Sequence, residues 1–67
     1  MNNINIGGNI KKYRLKQGLT QTQLSRLVDV TESMISQIER NIKCPTMRLG
    51  KCIADALGVT LNDLVAE

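Results

Sequence analysis

The 67 residues are enough for one small domain, and its core must be aliphatic because Tyr13 is the only aromatic residue. The net charge of +3 is uneven: residues 1–51 carry all nine Lys and Arg and three acids, whereas residues 52–67 carry three acids and no base. The absence of histidine and of a long apolar run excludes a common zinc site and a membrane-spanning helix. The basic part suggests a polyanion partner, and an ordinary solvated surface is the alternative that charge alone leaves open.

The first predicted helix covers about residues 7–17. It places Ile6, Ile10 and Tyr13 on one face, at positions i, i+4 and i+7. Gly18 follows as the residue that ends the helix, because glycine adopts the left-handed conformation at low cost.

Three later stretches share a pattern that is typical of a helix start: LTQTQL at 19–24, VTESMI at 30–35 and VTLNDL at 59–64. The threonine is the N-cap, and the aliphatic residues on either side form a hydrophobic staple. Gln23 and Asp63 stand three residues after their threonines and complete a capping box in the first and third stretches. The first two starts lie eleven residues apart, so the helix between them must be very short.

The second predicted helix covers about residues 21–28 and the third about 32–40, with a tight turn around 29–31. Two short helices joined in this way cross steeply, which is typical of a helix-turn-helix whose second helix enters the DNA major groove. The inward side chains are predicted to be Leu24, Leu27 and Val28 in the second helix, and Met34, Ile35 and Ile38 in the third.

The third helix is strongly two-sided. At about 100° per residue, its polar side chains fall on one arc, opposite the apolar ones. A carboxylate, two hydroxyls, an amide and a guanidinium are groups that read base edges, and the alternative is a plain amphipathic surface helix. Glu39 lies on the border between the two faces, where a half-buried carboxylate needs a cation partner. The outward residues are Glu32, Ser33, Ser36, Gln37 and Arg40.

Asn41 is expected to adopt a left-handed conformation at the end of the third helix, and Pro45 prevents helix formation through Cys44. The fourth predicted helix covers about residues 47–57 and the fifth about 61–65. The inward residues are predicted to be Met47, Gly50, Ile53, Ala54 and Leu57 in the fourth helix, which Gly58 ends, and Leu64 in the fifth, with Leu61 and Val65 beside it.

Cys44 and Cys52 are expected to be reduced thiols, with Cys52 partly buried on a helix. They are too few to bind a metal without histidine, so neither a metal site nor another cofactor is expected. The first ten residues lack a basic region followed by an apolar one, which predicts a cytoplasmic protein without a signal peptide.

The whole pattern resembles the lambda-repressor-like, Xre-type helix-turn-helix regulators over about residues 7–65. The matching residues are Ile10-x-x-Tyr13-Arg14, Gly18-Leu19-Thr20-Gln21-x-x-Leu24, Ile35-x-x-Ile38-Glu39-Arg40-Asn41, Pro45, and Ile53-Ala54-x-Ala56-Leu57-Gly58-Val59-Thr60-x-x-x-Leu64. The resemblance implies an all-α, compact five-helix DNA-binding domain that spans residues 1–67, with a central helix-turn-helix at about 20–40. Family members usually act as homodimers on a palindromic operator.

The resemblance also implies roles for individual residues. Arg14 is the expected partner of Glu39 in a buried ion pair. The positions expected to read DNA bases are Thr31, Glu32, Ser33, Ser36 and Gln37. The positions expected to contact the DNA backbone are Thr20, Gln21, Arg26, Arg40, Asn41 and Lys43.

Some positions depart from the family pattern. Asp29 and Asn41 stand where glycine is common, although both tolerate positive φ better than most residues. Ser25 replaces the usual alanine between the two short helices. Gly50 replaces a large aliphatic residue, which predicts a thinly packed fourth helix.

The leading hypothesis is a sequence-specific transcriptional regulator of bacterial or phage type, a repressor that binds double-stranded DNA as a homodimer. Leu61 or Val65 is expected at the dimer interface, with Leu64 inward and the acidic end, which includes Glu67, away from phosphate. No sensor domain follows in the sequence, so we expect control by concentration, dimerisation, proteolysis or a regulatory protein partner. The alternatives are a restriction-modification controller, an antitoxin-type autoregulator and, from another class, a protein-binding adaptor. No catalytic constellation or phosphate-binding glycine loop indicates an enzyme.

Overall fold

A computed structural model describes residues 4–66, and Glu67 of the acidic end lies outside the described residues. The described part contains five helices and no strand, which confirms the all-α fold class. None of these helices has both the length and the apolar character needed to cross a membrane. The helices are α1 (Ile6–Lys16), α2 (Gln21–Leu27), α3 (Glu32–Glu39), α4 (Met47–Leu57) and α5 (Leu61–Val65).

The helix starts follow the cap chemistry of the sequence. Thr20, Thr31 and Thr60 are the N-caps of α2, α3 and α5, and each side chain accepts a hydrogen bond from the backbone N–H three residues later. Both predicted capping boxes are present. In the second box, hydrogen bonds from the Thr60 backbone N–H and side chain lower the pKa of Asp63 below its ordinary value of 3.8.

Two further caps were not predicted. Asn5 caps α1, where its Oδ1 accepts a hydrogen bond from the Gly8 N–H at 2.9 Å, and Thr46 caps α4 by accepting from the Leu49 N–H at 3.1 Å. Both are residue types that favour the N-cap, so the signal was present in the sequence. Neither residue has the flanking pair of aliphatic residues that marks the other three caps.

The chain leaves its helices through left-handed residues at the predicted places. Gly18 and Gly58 have φ of 71° and 72°, and Asp29 and Asn41 both have φ of 59°. Asp29 and Asn41 therefore adopt the conformation that glycine would favour, as their short polar side chains allow. These residues set the abrupt turns on either side of α3.

Aliphatic side chains from all five helices meet in one core, and three burial predictions are wrong. Leu27 is 60% exposed, because Leu24 and Ser25 are the buried residues of α2 and Leu27 lies on the other side of Leu24 from Ser25. Met47 is 81% exposed, and Cys52 is exposed on the side of α4 opposite its buried face. The fully buried core residues are Ile10, Leu24, Ile35, Ile38, Ile53, Ala54, Leu57 and Leu64, with Val28 and Met34 half-buried beside them.

Two buried glycines pack in different ways. A Cβ atom on Gly7 would lie 2.3 Å from the Ile38 backbone oxygen and 2.7 Å from that of Glu39, so only glycine lets α1 approach the end of α3. A Cβ atom on Gly50 would meet only Leu61 Cδ1, at 3.4 Å. The space beside Gly50 agrees with the thin packing that was predicted for α4.

These contacts predict opposite effects of two alanine substitutions. Gly7→Ala should lower the free energy of unfolding by about 1–3 kcal/mol, because two backbone oxygens would have to move. Gly50→Ala should raise it by about 1 kcal/mol, because alanine is the better helix former and the methyl group fits. Urea denaturation of both variants measures the difference. A Gly7→Ala variant as stable as the unsubstituted protein would contradict the close approach of α1 to α3.

Candidate DNA-binding surface

A buried ion pair joins α1 to α3. The Arg14 guanidinium contacts both carboxylate oxygens of Glu39, at 2.6 Å from Nε to Oε2 and 3.0 Å from Nη2 to Oε1. Arg14 Nη1 also donates to the Leu19 carbonyl at 2.8 Å, and Gln21 Nε2 donates to Glu39 Oε1 at 3.1 Å. The ion pair and its hydrogen bonds therefore connect α1, the turn after it, α2 and α3. Glu39 thus has the cation partner that its position required.

A second contact fixes the end of α3. Asn41 Oδ1 accepts a hydrogen bond from the Gly7 N–H at 3.1 Å, and Asn41 Nδ2 donates to Asn5 Oδ1 at 2.6 Å. One asparagine thus satisfies a backbone donor in the first turn of α1, which would otherwise lack a partner. Because Gly7 also lies against the last carbonyls of α3, the two helix ends are held together at close range.

The turn between α2 and α3 is held from both sides. The Val30 N–H donates to the Ser25 carbonyl at 3.0 Å, and Thr31 caps the helix that follows. The added hydroxyl of Ser25 is buried but satisfied, since it donates to the Thr22 carbonyl at 2.7 Å. The core side of α3 rests on Ile35 and Ile38, both fully buried.

The opposite side of α3 carries four of the five predicted base-reading residues, and the fifth, Thr31, is the N-cap that precedes the helix. Thr31, Glu32 and Ser33 are exposed, and Ser36 and Gln37 are half-buried. The Gln37 carbonyl accepts hydrogen bonds from the N–H groups of residues 42 and 43, whereas no hydrogen bond involves its side-chain amide within residues 4–66. That amide is therefore available to a base edge.

Glu32 is engaged in a way the sequence did not reveal. Its Oε2 accepts a hydrogen bond from the Thr22 hydroxyl at 2.7 Å. Thr22 is half-buried on α2 and Glu32 is the first residue of α3, so the contact bridges the two helices of the motif. No sequence pattern pairs these two positions, because their distance depends on the crossing of the helices.

The residues expected to contact the DNA backbone are of two kinds. Arg26, Arg40 and Lys43 are exposed, and none forms an ion pair within the described part of the chain. The side chains of the others already have partners: Thr20 caps α2, Gln21 donates to Glu39, and Asn41 binds the start of α1. The Gln21 amide retains one further N–H and its oxygen.

Leu61 and Val65 line a separate apolar groove of about 240 Å³. Leu61 is half-buried, Val65 is 36% exposed, and Leu64 between them is fully buried as predicted. None of the lining residues belongs to α2 or α3. The remaining lining residues are Ile6, Pro45, Thr46, Met47 and Gly50.

No group of three or more His, Cys, Asp or Glu side chains within residues 4–66 is placed to hold a metal ion. The Cys44 and Cys52 thiols are both exposed and unpaired with each other.

Two short crossed helices, with an apolar inner side and a free polar outer side on the second, define a helix-turn-helix domain. The family model HTH_3, described as helix-turn-helix, matches residues 10–64. The chain belongs to this lambda-repressor-like, Xre-type family.

The chain is similar to the immunity repressor protein of Bacillus phage phi105, with 32% identity over 62 residues that cover 92% of this chain and 43% of the repressor. It is also 32% identical to the regulator SinR of Bacillus subtilis, over 92% of this chain and 57% of SinR. It therefore spans about half the length of these relatives.

Two similar structures contain DNA. SinR in complex with DNA superposes with a TM-score of 0.83 and 32% identity, covering 88% of this chain and 95% of that chain. The P22 c2 repressor in complex with a synthetic operator superposes with a TM-score of 0.86 and 28% identity, covering 91% of this chain and 92% of that chain.

The ion pair predicts a large stability effect. Glu39→Ala leaves the Arg14 guanidinium buried without its partner and should lower the free energy of unfolding by about 3–5 kcal/mol. Glu32→Ala is the matched control, because it removes an exposed carboxylate and should change stability little. Thermal unfolding of the two variants tests this. Equal midpoints for Glu39→Ala and Glu32→Ala would show that the pair does not support the fold.

Proposed function

We propose that the chain is a sequence-specific, double-stranded DNA-binding transcriptional regulator that acts as a repressor in the cytoplasm of a bacterium. The observation that carries this proposal is the N-cap and outer side of α3, where five side chains with base-reading groups are exposed or half-buried. The fold uses the opposite side of the same helix for its core. The similarity to the DNA complexes of SinR and the P22 c2 repressor supports it.

The proposal divides the site residues into two groups. Side chains at the N-cap and on the outer side of α3 read base edges, and residues at both ends of α2 and just after α3 contact phosphates. The base-reading group is Thr31, Glu32, Ser33, Ser36 and Gln37. The phosphate group is Thr20, Gln21, Arg26, Arg40, Asn41 and Lys43.

The repressor is proposed to bind as a homodimer through the groove of Leu61 and Val65. An apolar groove with an exposed methionine at its edge is a surface that another apolar surface can cover. A second copy seated there leaves α2 and α3 free, because neither helix lines the groove. A two-fold pair of α3 helices about 34 Å apart fits a palindromic operator.

Selection of bound sequences from a random DNA pool tests the proposal and identifies the operator. We expect enrichment of one half-site, present as a palindrome. If no sequence is enriched above the starting pool, the chain is not a sequence-specific regulator.

Binding should depend strongly on salt. Five exposed Lys and Arg side chains can reach phosphates. Neutralising about five phosphates per subunit gives a slope of about −4 to −5 per subunit in a plot of log affinity against log salt concentration. Titrations at several salt concentrations measure the slope. A flat salt response would contradict a phosphate-binding surface. The five basic side chains are those of Lys11, Lys12, Arg26, Arg40 and Lys43.

Gln37 and Gln21 should differ in their effects on DNA binding. Gln37→Ala should cost about 1–3 kcal/mol on the selected site and little on random DNA, because it removes a base contact. Gln21→Ala should weaken binding to both DNAs, because it removes a phosphate contact. Gln21 also binds Glu39, so thermal unfolding must show that the variant is folded. Equal losses on both DNAs for Gln37→Ala would disprove its assignment to base reading.

The dimer is tested at the exposed edge of the groove. The double variant Met47→Glu/Val65→Glu should be monomeric by light scattering where the unsubstituted protein is dimeric, because two charges would be buried. These positions are preferable to Leu61, which packs against the core. Asn62→Glu, an exposed position of α5 outside the groove, is the control and should remain dimeric. A protein that is monomeric at high micromolar concentration would disprove the dimer.

A further inference from the structure

One side-chain contact bridges the helices of the helix-turn-helix without contributing to the core. The Thr22 hydroxyl on α2 donates to Oε2 of Glu32, the first residue of α3, at 2.7 Å. Glu32 is exposed, and the buried packing between the two helices involves other side chains. Besides linking the helices, the contact limits where the Glu32 carboxylate can lie.

The hydrogen bond from Thr22 selects one orientation of the long Glu32 side chain. A free glutamate at an exposed position samples many rotamers, and ordering it on DNA would cost conformational entropy. A hydrogen bond from the Thr22 hydroxyl gives the carboxylate a defined position before DNA arrives. Only Oε2 has a partner within residues 4–66, so Oε1 remains free to accept.

The chemistry of the free Oε1 atom restricts which DNA base can bind to it. An ionised carboxylate only accepts hydrogen bonds. In the major groove, the cytosine N4 amino group is a donor, whereas the adenine N6 donor stands beside the N7 acceptor, which repels a carboxylate. A threonine hydroxyl has a single proton, so while it donates to Glu32 it cannot donate to a phosphate.

We propose that Thr22 is a specificity-determining positioning residue. It holds the Glu32 carboxylate so that Oε1 accepts a hydrogen bond from a cytosine amino group in the half-site. Thr22 acts through Glu32 and contacts neither base nor phosphate. This assignment rests on the proposed function, because it requires a DNA site to be read.

The test uses the full chain and the half-site selected from the random pool, with each base pair replaced in turn. Thr22→Val keeps the shape of the side chain and removes the hydroxyl. It should reduce the preference for cytosine at one position by about tenfold, leaving the other positions and the affinity for random DNA unchanged. Thr22→Ser keeps the hydroxyl and should retain the preference.

A double-mutant cycle separates positioning from an independent contact. Glu32→Ala should lose the preference at the same position, and adding Thr22→Val to it should have no further effect. Three outcomes would each overturn the positioning role. The first is that the effects of Thr22→Val and Glu32→Ala add. The others are an equal loss of affinity for selected and random DNA in Thr22→Val, and a loss of the preference in Thr22→Ser. If the unsubstituted chain selects no sequence, both the proposed function and the assignment of Thr22 are wrong. An unchanged profile for Thr22→Val on a chain that does select a site overturns this assignment alone.

Discussion

The structure depends on one buried ion pair. Glu39 is the last residue of α3, yet its carboxylate receives hydrogen bonds from α1 and α2, and the Arg14 that binds it also holds the carbonyl of Leu19. A carboxylate this deep is stable only with its cation and hydrogen bonds in place. The pair therefore places α3 relative to the two helices before it.

Tertiary contacts of this kind are necessary because two of the helices, α2 and α5, are short. α2 has 7 residues and α5 has 5, well below the length at which an isolated helix is stable in water. Their N-caps, capping boxes and staples satisfy the first turn of each helix, and burial of Leu24 and Leu64 supplies the rest. The domain is thus an assembly of elements that are stable only together, consistent with the small core of a chain this size.

The surface separates into two regions with different chemistry. The outer side of α3 is polar, and its one carboxylate, that of Glu32, accepts a hydrogen bond from Thr22. The groove beside Leu61 and Val65 is apolar and lies on α1, α4, α5 and the segment before α4. Under the proposed function, the polar surface reads DNA and the apolar groove receives a second copy, and the two do not compete for the same residues. The arrangement gives the proposed dimer a physical basis: each function uses side chains that the other leaves free.

The sequence by itself determined the helices and the polar side of α3. Threonine caps, staples and the left-handed residues at 18, 29, 41 and 58 act within a few residues of chain, so their chemistry can be read locally. The tertiary structure alone decided which residues beside the central core positions are covered. Leu27, Met47 and Cys52 are exposed because no neighbouring element reaches them, and Gly7 is required because the end of α3 passes within contact of α1. The bond from Thr22 to Glu32 likewise depends on the crossing of α2 and α3, a distance that side-chain spacing along the chain does not encode.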